Sequence, residues 1–144
     1  MTETKSVVFT VEFVRGQSRP KFSTRPFPHA YKVPADERAE RELREAAIER
    51  IGKDAPKPFF GKSPVGVQIT CYEPLPASKP RSVVSEPFTK KPDVDNIAKL
   101  VLDALNGVMW ADDAQIVHLD VTKGSRTRLF PEPQTSIRVY RLKG

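Results

Sequence analysis

The prolines decide where this chain can build regular structure. All 14 fall within Pro20–Pro34, Pro56–Pro64, Pro74–Pro92 and Pro131–Pro133. Proline fixes φ and has no amide to donate, so these stretches read as loops and leave the segments between them free to order. Val7–Val14 alternates, with Val7, Phe9, Val11 and Phe13 on one face, as a half-buried strand does. Val65–Tyr72 alternates in the same way and puts Val65, Val67, Ile69 and Cys71 together. Ile116–Thr122 and Thr135–Leu142 are rich in β-branched residues and read as two more strands. Asp36–Ile51 reads as a charged helix with an apolar stripe of Ala39, Leu43, Ala47 and Ile51, supported by Glu37–Arg41 and Glu40–Arg44 pairs. Asn96–Asn106 reads as a second helix, with Gly107 where a C-terminal cap belongs. The order β-α-β-α-β-β predicts an α+β (mixed α/β) fold: a single mixed β-sheet of about four strands with two main helices packed on it.

With 144 residues, no internal repeat and no linker, the expectation is a single domain over residues 1–144. The lone cysteine, Cys71, excludes a disulfide framework within the chain and a multi-cysteine metal site. No apolar run approaches the roughly 20 residues of a membrane span, and no signal-peptide core is evident. A cytoplasmic protein without a membrane partner is therefore expected.

Charge is more informative. Lys and Arg number 24 against 18 Asp and Glu, a net charge of +6. Such an excess fits nucleic acid, an acidic membrane surface or an acidic protein. Arg15, Arg19, Lys21, Arg25 and Lys32 share a stretch with no acid between them. Lys79, Arg81, Lys90 and Lys91 follow with only Glu86 among them, and Lys123, Arg126 and Arg128 form a third cluster.

The acids are concentrated elsewhere. Asp93 and Asp95 flank Val94 directly after Pro92, and in an extended segment both carboxylates would approach one point. Asp95, Lys99, Asp103 and Asn106 form a polar stripe opposite the buried Ile97, Val101, Ala104, Leu105 and Val108. Asp112 and Asp113 follow the helix. Carboxylates gathered in a basic protein need a positive charge between them. Mg2+ meets that need through oxygen ligands and can support phosphodiester hydrolysis, with Lys99 near the scissile phosphate. Structural readings compete: Asp95 as an N-cap, Asp103 as a partner of Lys99, and Asp112–Asp113 as a turn. Trp110 reads as core or interface, and Cys71 as inert. No phosphate-binding glycine loop, GxSxG or HExxH motif is present.

Lys91-Pro92-Asp93-Val94-Asp95-Asn96, Lys99, Asp103-Ala104-Leu105-Asn106-Gly107 and Trp110-x-Asp112-Asp113-x-Gln115 resemble the signature of the RusA family of Holliday junction resolvases. The resemblance implies a homodimeric, Mg2+-dependent endonuclease, often phage- or prophage-encoded, for which Mn2+ can substitute. It would resolve four-way branched DNA by paired nicks in recombination and repair. It carries the metal-binding aspartates to Asp93, Asp95 and Asp113 and the essential lysine to Lys99. The basic segments then become candidate DNA contacts: Lys99, Lys91, Lys90, Arg15, Arg19, Lys21, Arg25, Lys79, Arg81 and Lys123. A non-catalytic junction-binding protein, whose acids only cap a helix and form turns, is the reading from another class. A nuclease for other branched nucleic acids is a third, because metal chemistry specifies the bond cut and not its surroundings.

Overall fold

The computed structural model describes residues 1–143. Strand β1 (Thr2–Val11) is followed by a small hairpin of β2 (Lys21–Ser23) and β3 (His29–Tyr31). Helix α1 (Pro34–Ile51), β4 (Val65–Tyr72), β5 (Ser85–Glu86) and α2 (Val94–Leu105) come next. A single 3-10 turn at Asp113–Gln115 leads into β6 (Ile116–Lys123), β7 (Arg126–Thr127) and β8 (Gln134–Lys143). The fold is α+β, as the sequence predicts.

The main sheet has the order β1-β8-β4-β6. Strand β8 runs antiparallel to both β1 and β4, whereas β4 and β6 are parallel. Parallel neighbours need a crossover, which α2 and its flanking loops supply. Helix α2 therefore starts beyond the end of β4 and finishes before the start of β6. One face of the sheet carries Val7, Phe9, Val11, Val65, Val67, Ile69, Ile137 and Val139 into the core. They meet Leu43 and Ala47 from α1 and Ile97, Leu100, Val101, Ala104 and Leu105 from α2. On the other face the Tyr140 ring lies across Gly66, where any Cβ would fall 2.1 Å from ring carbon Cζ. Its hydroxyl reaches His118 Nδ1 on β6.

The ends of the elements differ from the periodicity in instructive ways. Strand β1 begins at Thr2 instead of Val7, and it stops at Val11. Residues Thr2–Ser6 are exposed and show no alternation, because backbone pairing with β8 alone holds them. Helix α1 begins at Pro34, where a missing amide is harmless in the first turn. Strands β2, β3, β5 and β7 have two or three residues each, too few to show a period.

Asp36 fixes the segment after β1 to α1. It is fully buried. It accepts hydrogen bonds from Arg15 Nε at 2.8 Å and Ser18 N at 2.8 Å, and Arg15 Nη2 approaches it at 2.6 Å. Asp36→Ala strands the Ser18 amide and half of the Arg15 guanidinium. It should cost about 2–3 kcal/mol, read as a lower urea midpoint at unchanged slope. A midpoint within error of wild type would show that this tie is dispensable.

Candidate active site

Asp93 occupies the N-cap position of α2 with extended backbone (φ −78°, ψ 151°), and its side chain makes no capping bond. Asp95 sits in the first helical turn, and Lys99 lies one turn further along. The pair thus straddles a helix start; the extended geometry inferred from the i, i+2 spacing holds only for Asp93. Both carboxylates nevertheless line one cleft of about 520 Å3, together with Asn96, Lys99, Lys91 and the segment Gln17–Pro20.

The Gln17–Pro20 wall comes from far away in sequence. Gln17 N donates to Asn96 O at 2.9 Å, and Gln17 Nε2 donates to Asp103 Oδ2 at 2.6 Å. Gly16 permits this approach, since a Cβ there would lie 2.9 Å from the Cβ atoms of Asn96 and Pro92. Nothing in the local sequence signals that contact. Asp103 is a structural residue as expected, but its partners are Gln17 and, at 3.8 Å, Lys32 instead of Lys99.

Lys91 Nζ lies 2.8 Å from Asp93 Oδ2. That hydrogen bond, reinforced by the nearby charges of Lys91 and Lys123, holds the Asp93 carboxyl below its ordinary range. A depressed carboxylate pKa keeps Asp93 ionised at neutral pH and protonates it only in more acidic solution.

Asp113 stands elsewhere. Buried Trp110 donates Nε1–H to Asp113 Oδ1 at 2.7 Å. Asp112 accepts from Ala114 N at 3.0 Å, while Gln115 Oε1 accepts from the Ala111 and Asp112 amides. Gln115 Nε2 donates to Gly61 O and Ser63 O, each at 2.8 Å, tying this turn to the loop that enters β4. Asp93 lies at the other end of the sheet, where Lys123 Nζ at the end of β6 donates to Lys90 O at 2.6 Å. The 12 residues of α2 separate the two ends. At 1.5 Å per residue that is about 18 Å. Among the described residues, no three His, Cys, Asp or Glu side chains come together to hold a metal ion. The structure brings Asp93, Asp95 and Lys99 to one cleft and leaves Asp113 at the far end of α2.

The basic residues divide similarly. Arg15 is tied to Asp36, Lys79 pairs with Glu86 at 3.0 Å, and Lys123 lies 4.3 Å from the Phe88 ring centre. Arg126 bridges Glu73 and Glu86, and Arg128 donates to the carbonyls of Lys79, Pro80 and Val83, so both knit loops together. Arg19, Lys21, Arg25, Arg81 and Lys90 are exposed. Cys71 is buried on the core face, and burial pushes its thiol pKa up, as befits an inert residue.

The sheet thus presents the carboxylates of Asp93 and Asp95 and the ammonium groups of Lys91 and Lys99 to one open cleft, with exposed basic residues beside it. The chain belongs to the Endodeoxyribonuclease RusA family, which matches residues 13–140. It is also 41% identical over 68 residues to the uncharacterized protein YqaN of Bacillus subtilis (strain 168). That similarity covers 42% of this chain and 48% of YqaN, so the chain spans about half the length of that relative. No helix among the described residues is long and apolar enough to cross a membrane.

Proposed function

We propose that this protein is a Mg2+-dependent, structure-selective endonuclease of a single domain, which resolves Holliday junctions by paired symmetric nicks. In this reading it acts as a cytoplasmic homodimer in DNA recombination and repair. The observation that supports it best is the cleft that Asp93, Asp95 and Lys99 line together in a chain of this family. The donors suit Mg2+, which takes oxygen ligands and commonly uses one or two carboxylates alongside water and substrate phosphate. Asp93 and Asp95 would hold it, and when bound it supplies charge stabilisation at the phosphate and a more acidic water. Lys99 meets the negative charge that builds on the phosphate oxygens in the transition state. Arg19, on the opposite wall, draws the backbone in through an electrostatic attraction that carries no base information.

A homodimer also accounts for Asp113. Strand β6 is an open edge of the sheet, with Val117 53% and Leu119 43% exposed. Unpaired edges are templates for another strand. Antiparallel pairing of two β6 strands about Leu119 sets Val117 opposite Val121 on one face and His118 opposite Asp120 on the other. It also lays the start of one β6 beside the end of the other. Asp113 of the partner subunit then stands at the Asp93–Asp95 end and completes the acid set.

The test is gel-resolved cleavage of a labelled four-way junction and a linear duplex of the same arm sequence. Paired nicks are expected in the junction with Mg2+ or Mn2+, and none with EDTA. Tight binding without any cut, across several junction sequences, would replace the enzyme with a binding protein. Equal cutting of the linear duplex would discard junction selectivity.

A further inference from the structure

We propose that one face of the β2–β3 hairpin is a stacking site for unpaired nucleobases, formed by Phe27, His29 and Tyr31. This rests on the reading that the protein acts on DNA. Phe27 is 63% exposed and Tyr31 41%, while Phe22, opposite Ala30, stands on the other face of the hairpin. Scattered exposed apolar residues are ordinary, but large aromatics gathered on one projecting element mark an interaction surface. The rings on this face follow one another in contact, tilted by 54° and 45°. The Phe27 and His29 ring centres are 5.3 Å apart, and those of His29 and Tyr31 are 6.1 Å apart.

The setting selects the partner. Arg19, Lys21 and Arg25 flank the rings, all three are exposed, and no acid lies between Arg15 and Lys32. A second copy of this hairpin would bring the same positive charge, so self-association through it is disfavoured. A polyanion carrying flat π-faces matches both features: phosphates for the cations and bases for the rings. Bases stacked inside a duplex offer no free face, so the site takes single strands or the unstacked centre of a branch.

The hairpin is built to hold that position. Its root is fixed on both sides, by Ser18 N and Arg15 on Asp36, by Gln17 N on Asn96 O, and by Lys32 Nζ on Glu40 at 2.6 Å. The same root, Gln17–Pro20, is one wall of the Asp93–Asp95 cleft. A base seated on the hairpin would therefore place its own strand beside the acids.

The experiment measures binding in EDTA, so it does not depend on cleavage. Phe27→Ala/Tyr31→Ala, both at exposed positions, is compared with wild type on single-stranded DNA, on a four-way junction with 2-aminopurine at its centre, and on blunt linear duplex. The double variant should bind the single strand and the junction at least about tenfold more weakly, the scale of losing base–aromatic stacking. Duplex binding and the salt dependence should be unchanged, and the 2-aminopurine signal on binding should be lost. Unaltered affinity for the junction and the single strand would overturn the stacking site even if the protein proves to be a resolvase. Equal weakening on blunt duplex would also overturn it, by reducing the hairpin to a phosphate contact. A changed sedimentation mass in the variant would overturn it in favour of self-association. Ring-dependent binding in a protein that never cuts would uphold it and leave the nuclease reading to fail alone.

Discussion

Asp95→Asn should leave junction binding within a few-fold of wild type and remove cleavage. The substitution keeps the size of the side chain and removes only its charge. Asp95 is exposed in the first turn of α2, where a carboxylate favours the helix N-terminus by a few tenths of a kcal/mol, so the fold should survive. The cleft would lose one of its two adjacent acids and, on the proposed reading, its hold on a divalent ion. The expected fall in single-turnover rate is about 10²–10³-fold or more, the scale for a group that organises charge at the reacting centre. Near-normal cleavage by this variant would remove Asp95 from the metal site.

Mixing two inactive proteins should restore activity. Asp95→Asn and Asp113→Asn are each expected to be silent as homodimers. Co-expressed, they form mixed dimers in which one site combines both substitutions. The other site combines an intact Asp93–Asp95 pair with an intact Asp113 of the partner subunit. That dimer should nick one strand of a junction without the paired second cut. Asn at position 113 retains an oxygen to accept the Trp110 bond, so its turn should persist. If each site belonged to one chain, every site in the mixture would carry a substitution and no nicking would return. The experiment therefore separates composite from single-chain sites by the appearance of a product.

Much of this was written in the residue pattern. Alternation in Val65–Tyr72 and the stripe of Ile97, Val101, Ala104 and Leu105 mark a strand and a helix that bury those residues. Asp93, Asp95 and Lys99 are neighbours in sequence and meet in one cleft because a helix turn keeps them close. Pairing order was not legible. Nothing in Ile116–Lys123 says that it lies parallel to β4, although that choice sends α2 back along the sheet. The Gly16–Asn96 approach and the Arg15–Asp36 tie are likewise contacts between segments whose local patterns are satisfied without them. Asp113 shows the same limit from the other side. It sits in a compact motif with Asp93, and compactness along the chain becomes distance once the residues between them are helical.

That distance works as a ruler. In a dimer joined along β6, the length of α2 sets how far apart the two cleavage centres stand. That spacing is about 18 Å. Adding or deleting one helical turn would shift that spacing by about 5.4 Å. In such a dimer the reach between the two cuts would be set by a helix that need not touch the DNA at its midpoint.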